Sequence, residues 1–458
     1  MHSTHRRPRL QPCPVRRHAR SLHSYDFFNL LTSPELLDRV DQQLPLHRER
    51  LYPPTETLAL FMAQTLSADA SCQQAVNRHS VERLANGLSA CSTHTGAYCK
   101  ARQRLPLMMI QSLVQGTGQL ISESASATWL WQGRPVKLVD GTTVTMPDTP
   151  ENQARYPQQR NQKAGLGFPI ARLVALLCMA TGAVLDIAMG AYAGKTGSEH
   201  ALFQSLMGRI AAGDLILADR YYCAYCMIAL LRAQGADVLF QQHATRITDF
   251  RKGQRLGAKD HVVVWYKPKR RPEWLPQASY DALPETQSIR EVKVRSKVLV
   301  TTILSDTEAP RQALDDLYGQ RWNVELDLRN IKTTLGLETL HCNTPQMNEK
   351  ELLVGLLAYN LIRLLMARSA CYADVLPRQL SFKHTVQLWL AWSHSGPPGE
   401  AQIDSLLGLI AQLRVGHRPG RVEPRAVKRR PKPFPLLTKN RNQAREEIRR
   451  YGHPKKLK

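Results

Sequence analysis

Acidic residues are scarce in this chain: 38 Asp and Glu stand against 62 Lys and Arg, a formal charge of +24 over 458 residues. Cysteine follows no pattern. The nine present are odd in number and irregularly spaced, which excludes a disulfide framework and points to a reducing, cytoplasmic setting. Membrane-length apolar runs free of charge are missing too. Phe168 to Gly190 contains Arg172 and Asp186 and breaks at Thr181-Gly182, as a buried hairpin would. Glu351 to Ala373 carries Arg363 and Arg368 on an amphipathic pattern and reads as a core helix. The basic stretch from Met1 to Arg20 is followed by no apolar run, so it does not read as a signal peptide. No internal repeat is present. Hydrophobic content of 43% and charged content of 22% are those of an ordinary globular protein. The length allows two or three domains around at least one large core.

The positive excess calls for a polyanionic partner, since each neutralised phosphate releases condensed counterions. An anionic membrane surface is the rival. About half of the excess lies after His417, in a Pro-, Arg- and Lys-rich tail that ends in a short charged helix and Lys455-Lys456-Leu457-Lys458. Phosphate-backbone contact is the favoured reading of that tail, against simple solvation.

The chain divides into three parts. Residues 1–125 read as helical, with one helix opening at Ser33-Pro34-Glu35 and another capped by Thr55. A further short helix after Thr95 carries Lys100, Arg102 and Arg104. It reads either as the DNA-facing helix of a helix-turn-helix or as the solvated basic face of a small bundle. Residues 126–375 turn to strands: Val136–Val139, a hairpin from Ile170 to Met189, a helix at Ser198–Ile210, a strand at Leu215–Ala218, a helix through Met227–Leu231, and a strand at Val238–Gln242. That is the β-β-β-α-β-α-β order of a ribonuclease-H-like core, an α/β fold. Strand-like segments over about 244–304 interrupt it as an insertion, and a long helix from Arg311 to about Leu335 follows. Residues 376–458 form a helical and basic C-terminal region.

Asp140 and Asp219 each end an apolar strand, and Glu325 lies on the long helix. Carboxylates from separate elements suit two-metal phosphoryl transfer, in which ions about 3.5–4 Å apart clamp the attacking and leaving oxygens. Mg²⁺ accepts a few carboxylates and keeps waters. Three carboxylates gathered without cations would repel one another and raise each other's pKa. At about 100° per residue, Tyr318, Arg321, Glu325 and Lys332 share one face of a continuous helix, beside an apolar stripe of Leu317, Val324, Leu328 and Ile331. Trp322 and Arg329 flank that face. The bland alternative is a surface helix with Arg and Glu paired across one turn.

The stretch Tyr-x2-Arg-x3-Glu-x6-Lys at 318–332 resembles the signature of the insertion-sequence 4 family of DDE transposases. So do Asp140-Gly-Thr-Thr-Val-Thr-Met-Pro and Leu217-Ala-Asp219-Arg-Tyr-Tyr222. The likeness covers about 130 to 370, including Gly165-Leu-Gly-Phe-Pro-Ile-Ala-Arg172. It implies a catalytic triad of Asp140, Asp219 and Glu325, with Asp140 bridging two Mg²⁺ and each of the others holding one; Mn²⁺ can substitute. It further implies that Tyr318, Arg321 and Lys332 contact the transposon-end phosphates, that the strand insertion shapes a DNA hairpin intermediate, and that the enzyme works as a homodimer on double-stranded terminal repeats and target DNA at the nucleoid. Relatives lodge a flipped base against a Trp of the insertion. Here Trp265 and Trp274 read as packing residues, and Trp322 is the better stacking candidate. The rival functions are a ribonuclease-H-like nuclease that does not join strands, and a DNA-binding regulator derived from a transposase.

Two motifs read as decoys. Gly190-Ala-Tyr-Ala-Gly-Lys-Thr196 is one residue short of the spacing with which a phosphate-binding loop wraps its ligand. Cys223 and Cys226 have no second pair at finger spacing and read as buried free thiols. Asp148, Glu151 and Asp186 read as turn and cap residues.

Overall fold

The computed structural model describes residues 51–392 apart from 68, 86, 164, 195 and 196, together with 44, 400–415 and 439–452. The helix expected at Ser33, and the basic tail other than its short helix, lie outside the described residues.

Helix α1 (Pro54–Leu66) starts one residue before the expected cap Thr55. Its Pro54 sits in the first turn, where a missing N–H is harmless. Tyr52, Leu60, Ala75, Val76, Tyr98 and Ala101 form a small core between α1, α2 (Cys72–Ala85) and α3 (Gly96–Arg104). Helix α4 (Leu107–Glu123) turns its apolar stripe, including Ile110, Leu113, Val114 and Ile121, to the main core instead. Gly118 lets it touch the sheet, because a Cβ there would lie 2.1 Å from the Val184 carbonyl oxygen.

Next come β1 (Val136–Thr145), α5 (Pro150–Arg155), β2 (Ile170–Cys178), β3 (Val184–Ala191), α6 (Glu199–Leu206), β4 (Leu215–Ala218), α7 (Tyr225–Ala233) and β5 (Asp237–Gln241). Apart from the short helix α5 between β1 and β2, this is the β-β-β-α-β-α-β order read from the sequence. β1, β2 and β3 pair antiparallel, and β4 and β5 lie parallel to β1. Alternate residues serve opposite faces: Leu138, Leu173, Leu217 and Leu239 enter one core, and Val139, Val174, Ile216 and Val238 the other. Both faces of the sheet are therefore covered, which explains the near-continuous apolar strands.

The region expected as an insertion carries β6 (Gln254–Gly257), β7 (Asp260–Tyr266), α8 (Gln277–Asp281), β8 (Thr286–Val294) and β9 (Lys297–Thr301). It extends the same sheet rather than standing apart. Strand β9 pairs antiparallel with β5, and the order among the described residues is β3-β2-β1-β4-β5-β9-β8-β7-β6. Fully buried Arg290 locks the extension to the next helix. It donates to both Asp260 carboxylate oxygens (2.9 and 2.6 Å) and to the Ser305 and Ala309 carbonyls (2.9 and 2.8 Å).

The long helix expected over 311–335 is broken. Helix α9 (Arg311–Gly319) and helix α10 (Trp322–Arg329) are separate, and a π-helical turn (Asn330–Thr334) follows. At the joint, Gln320, Arg321, Asn323 and Val324 donate to carbonyls three residues back, the tighter winding that ends one helix and begins another. Helix α11 (Pro345–Tyr372) is capped by Thr344 and is long and apolar enough to cross a membrane. It is 94% buried over its apolar window and forms the spine of the main core, as expected of Glu351–Ala373. Helices α12 (Phe382–Trp392) and α13 (Glu400–Gln412) pack beside it, and α14 (Arg441–Tyr451) is the charged helix of the tail.

Candidate active site

Two parallel strands bring the first two carboxylates side by side. The parallel register pairs Leu138 with Leu217, and two residues further on stand Asp140, midway along β1, which runs on to Thr145 instead of ending at Asp140, and Asp219, just past the end of β4. Asp219 caps a short 3₁₀ turn and accepts the Tyr221 N–H (2.8 Å). Asp140 accepts the Gly141 N–H (2.8 Å). Burial pushes the Asp140 carboxyl up to about 6; the Gly141 N–H and Arg321 pull it down, and Asp219 and Glu199 push it up.

Glu325 lies on α10. Arg321 joins it to the strands, pairing with Glu325 at 2.8 Å and with Asp140 at 3.7 Å. The guanidinium thus bridges the first and third predicted acids. Among the described residues, no three His, Cys, Asp or Glu side chains are grouped tightly enough to hold a metal ion.

The other predicted residues scatter. The Tyr318 ring is buried, its hydroxyl is 3.3 Å from Gln241 Oε1, and the Lys297 ammonium lies 5.3 Å from the ring centre. Lys332 falls on the π-helical turn and pairs with Glu338 at 3.5 Å. The continuous helix on which Tyr318, Arg321, Glu325 and Lys332 were expected to share a face is corrected accordingly. Trp322 is 57% exposed. Trp265 is a packing residue as expected, with its Nε1 donating to Glu291 (2.8 Å) and Arg246 stacked on its ring. Trp274 is stacked on His200, 5.4 Å between ring centres.

Arg102 requires a correction. It is 8% exposed, lies over the rings of Phe61 and Tyr98, and makes a 3.4 Å hydrogen bond to Gln64. A guanidinium held this way serves the core of the N-terminal helices; Lys100 and Arg104 face outward. Cys223 and Cys226 are buried free thiols as expected. Gly190 and Ala191 of the decoy loop belong to β3, and its Lys195 and Thr196 lie outside the described residues.

Sequence reasoning passed over Glu199. Ser198 caps α6, and Glu199 in its first turn has the look of an ordinary helix-start acid. Its carboxylate instead lies against Gly141, the residue after Asp140. It receives the Tyr222 hydroxyl (3.3 Å), with Arg172 Nε at 3.8 Å.

A family model described as the transposase DDE domain matches residues 131–361. The chain belongs to the DDE transposases. It is 28% identical over 427 residues to transposase InsG for insertion sequence element IS4 of Escherichia coli (strain K12), a match spanning 89% of this chain and 92% of that protein. The resemblance to insertion-sequence 4 transposases is thereby upheld. The transposase is also similar to a piggyBac transposase solved by cryo-EM as a synaptic complex with hairpin DNA. There the TM-score is 0.42 and the identity 9%, over 89% of this chain and 88% of that one; so loose a likeness transfers no detail.

The raised Asp140 pKa has a consequence for stability. The unfolded carboxyl loses its proton near its ordinary 3.8, the folded one near 6. Above that pH folding must carry a disfavoured charge, so Asp140 costs stability at pH 7, and the cost fades as pH falls towards 4. Asp140→Asn is expected to raise the Tm of the DNA-free transposase at pH 7.5 by a few degrees, with the gain vanishing near pH 4. Equal Tm values at pH 7.5, measured by calorimetry, would show that Asp140 is not strained.

Proposed function

We propose that the transposase cleaves DNA at its element's ends and joins the freed 3′-hydroxyls to target DNA, using a ribonuclease-H-like core over residues 126–375. The supporting observation is the juxtaposition of Asp140, midway along β1, with Asp219 at the end of the parallel β4, with Arg321 linking Asp140 to Glu325. The donor set is all carboxylate, the hard oxygen chemistry that suits Mg²⁺ or Mn²⁺. Asp140, Asp219 and Glu325 would hold two ions, which when bound supply Lewis acidity and an activated water.

The protein's own groups do the rest. Arg321 is a fork-shaped donor able to clamp a phosphate bidentately. Exposed Trp322, its neighbour, offers a face on which a base can stack. Tyr318 contributes its hydroxyl at the edge of the site, and Lys332 a point charge further along. Residues 1–125, with Lys100 and Arg104 outward, and the region 376–458 would add sequence-independent phosphate contacts. The enzyme would act as a homodimer on paired ends and through a hairpin intermediate.

Incubation of the purified protein with its element's end DNA and Mg²⁺, resolved on denaturing gels, tests this reading. The expected products are a nick, then a hairpin, then a strand-transfer product. Cleavage without joined product would favour a nuclease, and binding without cleavage a regulator.

A further inference from the structure

The turn after β4 sends two adjacent rings in different directions. Asp219 caps it and Arg220–Tyr222 wind as a 3₁₀ turn, so Tyr221 and Tyr222 stand perpendicular, 5.9 Å between ring centres. Tyr222 is fully buried and lies edge-on to Phe203 at 5.5 Å. Tyr221 is 42% exposed, and its hydroxyl lies within electrostatic reach of Glu199, Arg172 and Asp219. Single exposed rings are ordinary on a protein surface. This one is set apart by its backing.

The Tyr221 ring lies on His200, 4.4 Å between centres and 29° from parallel. His200 lies in turn on Trp274, from the loop between β7 and α8, at 5.4 Å and 13°. The three rings form a ladder from the sheet extension to the second residue after Asp219. Polar contacts hold the same end of it. The Tyr221 N–H donates to Asp219 (2.8 Å), and His200 Nε2 donates to the Tyr221 carbonyl oxygen (2.9 Å), which can only accept.

A flat ring backed on one face and exposed to water suits a nucleobase. Every base has a π face and stacks on an aromatic side chain with little regard to sequence. A base inside a duplex is covered on both faces, so only one that has left the stack can reach such a ring. Asp219 and Tyr221 are joined by one rigid turn, so that base would belong to a nucleotide next to the phosphate being cut.

We propose that Tyr221 is a base-stacking residue of the active site: its ring, backed by His200 and Trp274, receives an unstacked nucleobase beside the scissile phosphate. This rests on the DNA-cleaving reading above and adds to it a contact with a base. Trp274 is a positioning residue in this scheme, holding His200 behind the ring.

The test compares the native full-length protein with Tyr221→Leu and Tyr221→Phe in Mg²⁺-dependent cleavage of the element's end DNA. The substrates are the intact duplex and duplexes that lack one base at a time on either side of the cut. On intact DNA, Tyr221→Leu should lower kcat/KM about 5- to 100-fold, the range for one base–aromatic stack, and Tyr221→Phe should act like the native protein. On the duplex that lacks the stacked base, native protein and Tyr221→Leu should cleave alike, since neither has a stack to lose. An undiminished rate for Tyr221→Leu on intact DNA would overturn the proposal. So would a loss that persists on every duplex, which would assign the ring to packing, or an equal loss in Tyr221→Phe, which would assign the hydroxyl. Trp322→Leu runs beside them: if its loss, and not that of Tyr221→Leu, vanishes when a base is removed, the base belongs to Trp322. Native protein that leaves intact end DNA uncut would overturn the DNA-cleaving reading itself, and the proposal with it.

Discussion

Asp140→Asn, Asp219→Asn and Glu325→Gln are each expected to lower end cleavage by about 10³-fold or more, the scale of losing a preorganised electrostatic stabiliser. A gel shift of end DNA should persist in all three. The argument is one of charge. Each substitution keeps the size of the side chain and removes one negative charge, so packing and phosphate contacts survive while cation affinity falls. The structure adds a distinction among the three. Glu325→Gln also releases Arg321 from its 2.8 Å ion pair, leaving it with Asp140 at 3.7 Å. Asp219→Asn leaves that pair untouched. Glu325→Gln should therefore tighten DNA binding slightly, because the freed guanidinium can serve a phosphate, whereas Asp219→Asn should not. Cleavage within tenfold of the native rate in any one variant would remove that residue from the triad.

The strands carrying Asp140 and Asp219 were legible because period and position agree. The apolar runs Val136–Val139 and Leu215–Ala218 stop at Asp140 and Asp219, and parallel pairing makes neighbours of the two acids, although β1 continues through Asp140 to Thr145. The helix carrying Glu325 was legible in its apolar stripe but not in its continuity. Extrapolating 3.6 residues per turn through Gly319 and into 330–334 assumes uniform winding, and local 3₁₀ and π geometry breaks that assumption at both ends of α10. Arg102 was misread for another reason: alternate cations on a short helix look alike in sequence, and only the rings of Phe61 and Tyr98 decide which one turns inward. Glu199 was hidden by its ordinary signature, a Ser cap followed by an acid. Gly141 held a hint, since a glycine inside a strand signals close approach by another group.

Asp327→Asn is expected to cost about 3–5 kcal/mol of stability, the range for removing one partner of a buried ion pair. Asp327 is two residues beyond Glu325 and 1% exposed. It accepts hydrogen bonds from Arg363 of α11 and from both terminal nitrogens of Arg378 (2.9 and 3.2 Å). Arg378 in turn donates to the Met179 and Cys178 carbonyls at the β2–β3 turn. Gly182 in that turn, at φ +77°, leaves room for Arg363, since a Cβ there would lie 2.8 Å from its guanidinium carbon. One carboxylate thus ties the inner face of α10 to the spine helix and to the sheet, and Glu325 rides on the tied helix. In Asp327→Asn the Arg363 guanidinium, 4% exposed, is left with neutral side-chain partners alone, the Tyr359 hydroxyl (2.8 Å) and the introduced amide oxygen. Denaturant unfolding should register the loss. The double variant Asp327→Asn/Arg378→Gln should lose less than the sum of the singles, because both remove the same contact. Below its unfolding transition, Asp327→Asn should also need more Mg²⁺ for half-maximal cleavage, as Glu325 loses its anchor. A stability loss under about 1 kcal/mol, the scale of a lone surface pair, would show that Tyr359 and the apolar stripe hold α10 without the carboxylate. A full loss with unchanged Mg²⁺ dependence would confine Asp327 to the fold and free the placement of Glu325 from it.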